Sequence, residues 1–305
     1  MSLKKQLISV PLWAIIACIL WATAFPAIKI GLNYCGPFTF AGIRFMISGL
    51  LLLPFWIFQK DSLKISFRQW KFIFSVTIFQ TFILYALFYL GVSLLSAAIA
   101  AIIVGASPLI TAITTHVLTR QDKITKSKLL SILFGMLGIV IITINKSPIY
   151  GGNYYMVLGI VMLIVGNISS AIGNILVSNN KNLLNIFKLT SLQIFIGGFL
   201  LLIVGISFEG LPGIPTDYKF YLVLSWLSFL SAAAFLIWFI LLKRDDVLVS
   251  DLNIWKFIIP VFGAIFSWIL ISSEKPSFII ILGMMIAASS VILYNIKWKK
   301  LHNNL

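Results

Sequence analysis

Read along the chain, hydrophobic positions gather into long blocks with short polar breaks. The blocks fall at roughly 10–32, 37–57, 70–92, 94–118, 128–145, 154–177, 186–207, 219–243, 248–272 and 278–296. A helix of about 20 apolar residues crosses a hydrocarbon core of about 30 Å. Strands of a membrane barrel would run to about 10 residues with strict alternation, a period these blocks lack. The pattern predicts an all-α integral membrane protein with ten transmembrane helices. Leu32 to Gly36, Gly91 to Ser93 and Lys243 to Val247 read as tight turns, and no connection is long enough for a soluble domain. Lys4, Lys5 and Ala22-Thr23-Ala24 imitate a secretory leader, but the apolar run continues to Gly31 and reads as a retained first helix.

A landmark repeats across this pattern. Pro108 is followed 14 positions later by Asp122, and Pro260 by Glu274 at the same interval. Small residues coincide as well: shifted by 152 positions, Ser131 meets Gly283 and Gly138 meets Ser290. Shifted by 149, Gly49 meets Gly198 and Arg44 meets Gln193. The chain therefore reads as two repeats, residues 1–147 carrying spans 1–5 and residues 148–305 carrying spans 6–10. Five spans per half force the second half to enter the membrane inverted, an arrangement found in secondary transporters.

Composition fits this picture. Of the residues, 60% are hydrophobic and only 10% charged, with a mean hydropathy of +1.06. The net charge of +15 is an orientation signal. Setting aside Lys29, Arg44 and Lys256, which lie deeper in the spans, 17 Lys and Arg fall on one side, against Lys146, Lys219 and Lys275 on the other. The positive-inside rule then puts both termini in the cytoplasm of a bacterial inner membrane. No basic patch is interleaved with exposed aromatics, so a nucleic-acid partner is not expected. Cys18 lies mid-span and Cys35 in the first external loop, which disfavours a disulfide.

No nucleophile–base pair, metal-ligand spacing or phosphate-binding loop is visible, so neither an enzyme nor a cofactor is expected. Chemistry rests on polar groups inside the spans, where ionisable side chains are costly and face protein or water. Lys29 can snorkel to the headgroups. Arg44 reads as a cavity residue or an inter-helix partner. Lys256 shares a helical face with Pro260, Gly263, Ala264 and Ser267. It reads as a contact for a solute carboxylate or phosphate, or as a partner of Asp251 or of carbonyls freed near Pro260. Gln80, Asn167, Asn174 and Asn253 would exchange hydrogen bonds with a solute or with neighbouring helices. Trp21, Phe25 and Tyr85 would wall its apolar part or pack in the core. Pro108 and Pro260 would kink their helices, as flex points or as fixed bends. Ser131-x-x-x-Gly135 and Gly283-x-x-x-Ala287 give spans 5 and 10 small-residue faces. These suit packing within a monomer or a homodimer contact.

The chain resembles the drug/metabolite transporter superfamily, EamA type. The resemblance is carried by Trp21-Ala-Thr-Ala-Phe25-Pro26 with Lys29, by Pro37 and Arg44, by Ser107-Pro108 with the acid ending that span, and by Pro260 with Glu274. It covers nearly the whole chain. The family usually has Glu where Asp122 stands, so a capping or pairing role is expected of that acid. The resemblance implies two inverted five-helix halves around a central solute site. It also implies amino acids, other metabolites, nucleotide sugars or drugs as solutes. The expectation is a facilitator or exchanger working by alternating access. Its leading solute class is an amino acid or related zwitterion. The alternatives are a nucleoside-bearing metabolite such as S-adenosylmethionine, or a multispan membrane enzyme or lipid flippase component. No Asp or Glu lies mid-span, so proton coupling through a central carboxylate is not expected.

Overall fold

The computed structural model describes residues 9–58, 64–95, 97–119, 122–144, 154–211, 213, 215–270 and 276–302. Among these there is no strand. The helices are α1 (Val10–Gly31), α2 (Pro37–Ile57), α3 (Phe67–Val76), α4 (Leu84–Ser93), α5 (Ala97–Gly105), α6 (Ser107–Leu118), α7 (Lys126–Ile144), α8 (Tyr154–Asn179), α9 (Ile186–Glu209), α10 (Tyr218–Leu242), α11 (Val249–Ile254), α12 (Ile258–Leu270) and α13 (Phe278–His302). A π-helical segment, Thr77–Ile83, joins α3 to α4, and a 3₁₀ turn, Trp255–Phe257, joins α11 to α12. Seven helical runs among the described residues are long and apolar enough to cross a membrane. The runs 107–118 and 278–294 are shorter apolar helices. Glu274, Lys146 and Lys275 lie outside the described residues.

The starts and stops follow local chemistry. Pro11 and Pro37 occupy the first turns of α1 and α2, where a missing N–H costs nothing. Ser66 and Gln69 form a reciprocal capping box on α3. Asn185 caps α9 and Asp217 caps α10 through their side chains. The Glu209 carboxylate at the end of α9 accepts from the Phe38 and Thr39 N–H groups at 2.8 and 2.9 Å, so one half caps a helix of the other. On the same side the Tyr34 hydroxyl donates to Asp217 at 2.6 Å. That bond holds the Asp217 carboxyl below its usual range and pushes the Tyr34 hydroxyl up.

Burial is inverted relative to a water-soluble protein. Phe55, Val117, Leu130, Ile269 and Ile292 are exposed, whereas Arg44, Gln80, Asn174, Gln193 and Asn253 are buried. An apolar exterior of this extent suits lipid, and polar groups in hydrocarbon must find partners inside.

The packing pairs carry the duplication. α2 packs on α9, α7 on α13 and α6 on α11; α1 packs on α10 and α12, while α8 packs on α4 and on α5 and α6. Exchanging each of the first five spans with its counterpart in the second five returns the same set. The exchange holds at atomic detail. A Cβ on Gly49 would meet the Ser191 carbonyl and the Phe195 N–H. A Cβ on Gly198 would meet the Gly42 carbonyl and the Met46 N–H, the positions that a shift of 149 predicts. Rising numbers on α2 meet falling numbers on α9, Gly42 at Leu202 and Gly49 at Phe195, so the two counterparts run antiparallel, as inversion requires. Gly138 on α7 meets Gly283 and Ala287 on α13. The Gly283-x-x-x-Ala287 face of span 10 thus packs on Gly138 of span 5 within one chain, while Gly135 faces the Phe257 ring.

Candidate functional site

Spans 4 and 9 are each interrupted near the landmark proline. Ala106 separates α5 from α6, and Pro108 is the second residue of α6. The 3₁₀ turn precedes α12, and Pro260 is its third residue. A proline offers no N–H to the carbonyl four residues earlier. The chain tightens ahead of each in the same way: Ala106 N–H reaches the Ile103 carbonyl, and Ile258 N–H reaches the Trp255 carbonyl. These two carbonyls also receive a side chain from equivalent helices. Asn167 Nδ2 of α8 donates to Ile103 at 3.1 Å, and the Cys18 thiol of α1 donates to Trp255 at 3.4 Å. A shift of 149 turns Cys18 into Asn167, and a shift of 152 turns Ile103 into Trp255. Pro108 and Pro260 therefore sit just after supported interruptions.

A stability prediction arises here. Replacing Asn167 by Val removes an interhelical bond of the kind worth about 0.6–1 kcal/mol in membrane proteins. Replacement by Cys, which copies the other half, is expected to cost less. Reversible unfolding in mixed micelles checks the order, and a larger loss for Asn167→Cys would contradict it.

Lys256 lies in the second interruption. Its Nζ is 5.2 Å from the ring centre of Trp238 and 5.9 Å from that of Trp21. Both contacts are of cation–π type. Asp251 bonds instead to Lys128 of α7, at 2.7 Å. From Lys256 a chain of rings crosses the interior. Trp21 stands edge-on to Trp238 at 5.0 Å and to Phe235 at 6.0 Å; Phe235 meets Phe45 at 6.4 Å, and Phe45 meets Tyr85 at 4.6 Å. Arg44 closes the far end, its guanidinium 4.4 Å from Phe45 and 5.7 Å from Tyr85. Five rings from four elements are flanked by two cations. Neither cation has an acidic partner within 4 Å among the described residues, and the Arg44 Nε is buried without a hydrogen bond there. Trp21, Tyr85 and Lys256 stay half-buried although they stand in the interior.

The other expected residues distribute around this ladder. Gln80 lies in the π-helical segment, its Oε1 filling the space left by Gly173 of α8. Its neighbour Thr81 donates to Gln193 Oε1 at 2.7 Å. Asn253 Nδ2 bonds the Val249 carbonyl of its own helix at 2.8 Å, leaving Oδ1 without a partner. Asn174 is fully buried with both amide atoms unpartnered among the described residues. The Phe25 side chain lies outside the described residues. Sequence reasoning missed Phe45, Phe235, Trp238 and Gln193. The shift of 149 that pairs Arg44 with Gln193 is the one signal that pointed to any of them. A surface recess of about 580 Å³ along Phe67, Trp70, Lys71 and Phe74 is on the outer face of α3 and apart from the ladder.

Family comparison meets this geometry. A family model described as the EamA-like transporter family matches residues 8–144 and again 157–296. The chain belongs to the EamA-like transporter family. Membership indicates a membrane transporter. The uncharacterized transporter YvbV of Bacillus subtilis is 25% identical over 92% of this chain and 90% of its own length. An uncharacterized transporter of Archaeoglobus fulgidus is 27% identical, covering 92% of this chain and 94% of its own. One crystal structure superposes with a TM-score of 0.81 over 96% of this chain and 98% of that one. At 17% identity it supports the fold alone.

Proposed function

We propose that this EamA-like protein is a secondary transporter whose solute carries an acidic group, with an amino acid or related zwitterion as the leading class. The observation that carries this reading is Lys256, which sits in the interrupted span 9 over two tryptophan faces with no acid at hand among the described residues. A charge held in low dielectric without a counter-ion is unfavourable, and a solute carboxylate or phosphate would supply the counter-ion. Arg44 offers a second positive end, the five rings an apolar wall, and Gln80, Asn174, Asn253 and Gln193 spare hydrogen-bonding atoms. A sulfonium solute such as S-adenosylmethionine would bring a further positive charge towards two existing ones, so its carboxylate would have to dominate. Two matched segments of the family model and the exchange symmetry of the packing support a 1–147 and 148–305 division into inverted halves that rock about the site. The excess of Lys and Arg on one side supports cytoplasmic termini in the inner membrane. Without a mid-span acid the cycle runs as facilitated diffusion or exchange.

Uptake into proteoliposomes from a panel of labelled amino acids, organic acids and nucleosides tests the proposal. Saturable uptake of at least one acid-bearing member is expected. Transport confined to neutral or cationic members would overturn the solute class. A reporter that fluoresces only in the cytoplasm, fused after Leu305, is expected to be bright; a dark but folded fusion would reverse the orientation.

A further inference from the structure

Apart from the ladder, the interior holds one dense ionic network among the described residues. Lys128 Nζ, on α7, contacts Asp122 Oδ1 at 2.9 Å, Asp251 Oδ1 at 2.7 Å and the Ser250 hydroxyl at 2.6 Å. The Ser250 backbone N–H donates to Asp122 Oδ2 at 2.8 Å, and its hydroxyl donates to the same carboxylate. Tyr294 of α13 lines the same small recess as Asp251. Asp122, Lys128 and Ser250 are buried, and Asp251 is nearly so. Asp122 and Lys128 belong to the first repeat; Ser250, Asp251 and Tyr294 belong to the second. Every bond between these two groups therefore crosses from one half to the other.

The network also stands on a route. It lies at the end of the bundle that carries Lys123 and Lys126, the face rich in Lys and Arg. A recess of about 50 Å³, with room for a water or two, is lined there by Val10, Asp251, Trp255 and Tyr294. The backbone of Trp255 then bonds Cys18, and Lys256 follows in the chain. Surface, network, interruption and cation thus follow one another inward.

The duplication does not repeat the residues of this network. Shifted by 152 positions, Lys128 becomes Ile280, Ser250 becomes Ala98, Asp251 becomes Ile99 and Tyr294 becomes Ile142. Only Asp122 keeps an acidic counterpart, Glu274. In the sequence the full set of ionic partners is thus carried at one face and not at the other.

We propose that the Asp122–Lys128–Asp251–Ser250 network is the gate between the solute site and the Lys/Arg-rich face, closed in this structure and broken when that face opens. The idea rests on the transporter reading, since only alternating access requires the two halves to part here. Breaking a buried ion pair by removing one member leaves an uncompensated charge, so single substitutions shift the balance towards the open form.

Cys18 provides a native probe, because it is fully buried and sits directly behind Trp255. Full-length Cys35→Ser protein in vesicles would be treated with a membrane-impermeant maleimide on each face separately. Lys128→Met is expected to speed Cys18 labelling from the Lys/Arg-rich face by about tenfold or more, with labelling from the other face unchanged. Ser250→Ala removes the hydroxyl that bonds both Lys128 and Asp122 and is expected to give a smaller increase in the same direction; it serves if Lys128→Met does not fold. An unchanged rate, or an equal increase from both faces, overturns the gate. Labelling requires no solute, so the gate fails on labelling whereas the transporter reading fails on uptake.

Discussion

Lys256→Met is expected to abolish transport while leaving the protein as stable as the parent, or more so. Lys256 touches two aromatic faces and no acid among the described residues. In the empty protein its charge is thus only partly compensated, and replacing such a charge by an apolar side chain of similar length is often neutral or stabilising. In the loaded protein the same ammonium would neutralise a solute acid. Breaking a buried pair costs about 3–5 kcal/mol, or roughly two to three and a half orders of magnitude in apparent affinity. The opposed signs make the experiment decisive. Melting temperature in detergent and concentration-dependent uptake are measured on the same preparations. A core lysine held for packing would lose stability on replacement and leave the solute affinity of the surviving protein unchanged. Lys256→Arg should recover part of the affinity, because charge is kept while the flat guanidinium can still stack on Trp21 or Trp238.

The contrast between what the sequence shows and what it hides follows from which physical signals survive in an apolar chain. Long hydrophobic blocks report helices in a bilayer because nothing else satisfies the backbone there. The observed α1, α2, α8, α9 and α10 accordingly lie within a few residues of the expected spans. Charged and amide residues stand out against that background, which is why Arg44, Lys256, Gln80 and Asn174 were visible. Phe235 and Trp238 were not. They lie on α10, a helix apolar all round, where no periodicity separates the face towards Trp21 from the face towards lipid. Phe45 was hidden in the same way beside Arg44. The gate was lost for a different reason: Lys128 was counted only as an orientation charge, and Asp251 was weighed only against Lys256. Both are edge residues in sequence, and only the pairing of α6 with α11 and of α7 with α13 brings them together. The prolines showed that spans 4 and 9 would deviate. The form of the deviation needed partners from α1 and α8, which lie far away in the chain.

The duplication itself leads to the second large effect. Gly49→Leu and Gly198→Leu are expected to destabilise the protein strongly and by similar amounts, although the two residues lie in different halves. In each case a new Cβ would meet backbone atoms of the facing helix, at 2.7 Å from the Ser191 carbonyl oxygen, beside Phe195 Cβ at 2.6 Å, and at 2.7 Å from the Met46 nitrogen respectively. Backbone cannot rotate out of the way as a side chain can, so α2 and α9 would have to separate along their length. Close approach at small residues is what holds membrane helices together, since no hydrophobic force drives them to associate within lipid. Overpacking of this kind costs about 1–3 kcal/mol or more, and Ala at either position should fall near the lower end. Gly213→Ala provides the control, because a Cβ there meets nothing within 4 Å. Unfolding of the purified variants in mixed micelles would test the expectation. A large loss at one of Gly49 and Gly198 with little at the other would contradict an interface built by exchanging equivalent halves. It would mean that α2 or α9 can shift to relieve the strain on one side alone, which is incompatible with the reciprocal contacts these two glycines make.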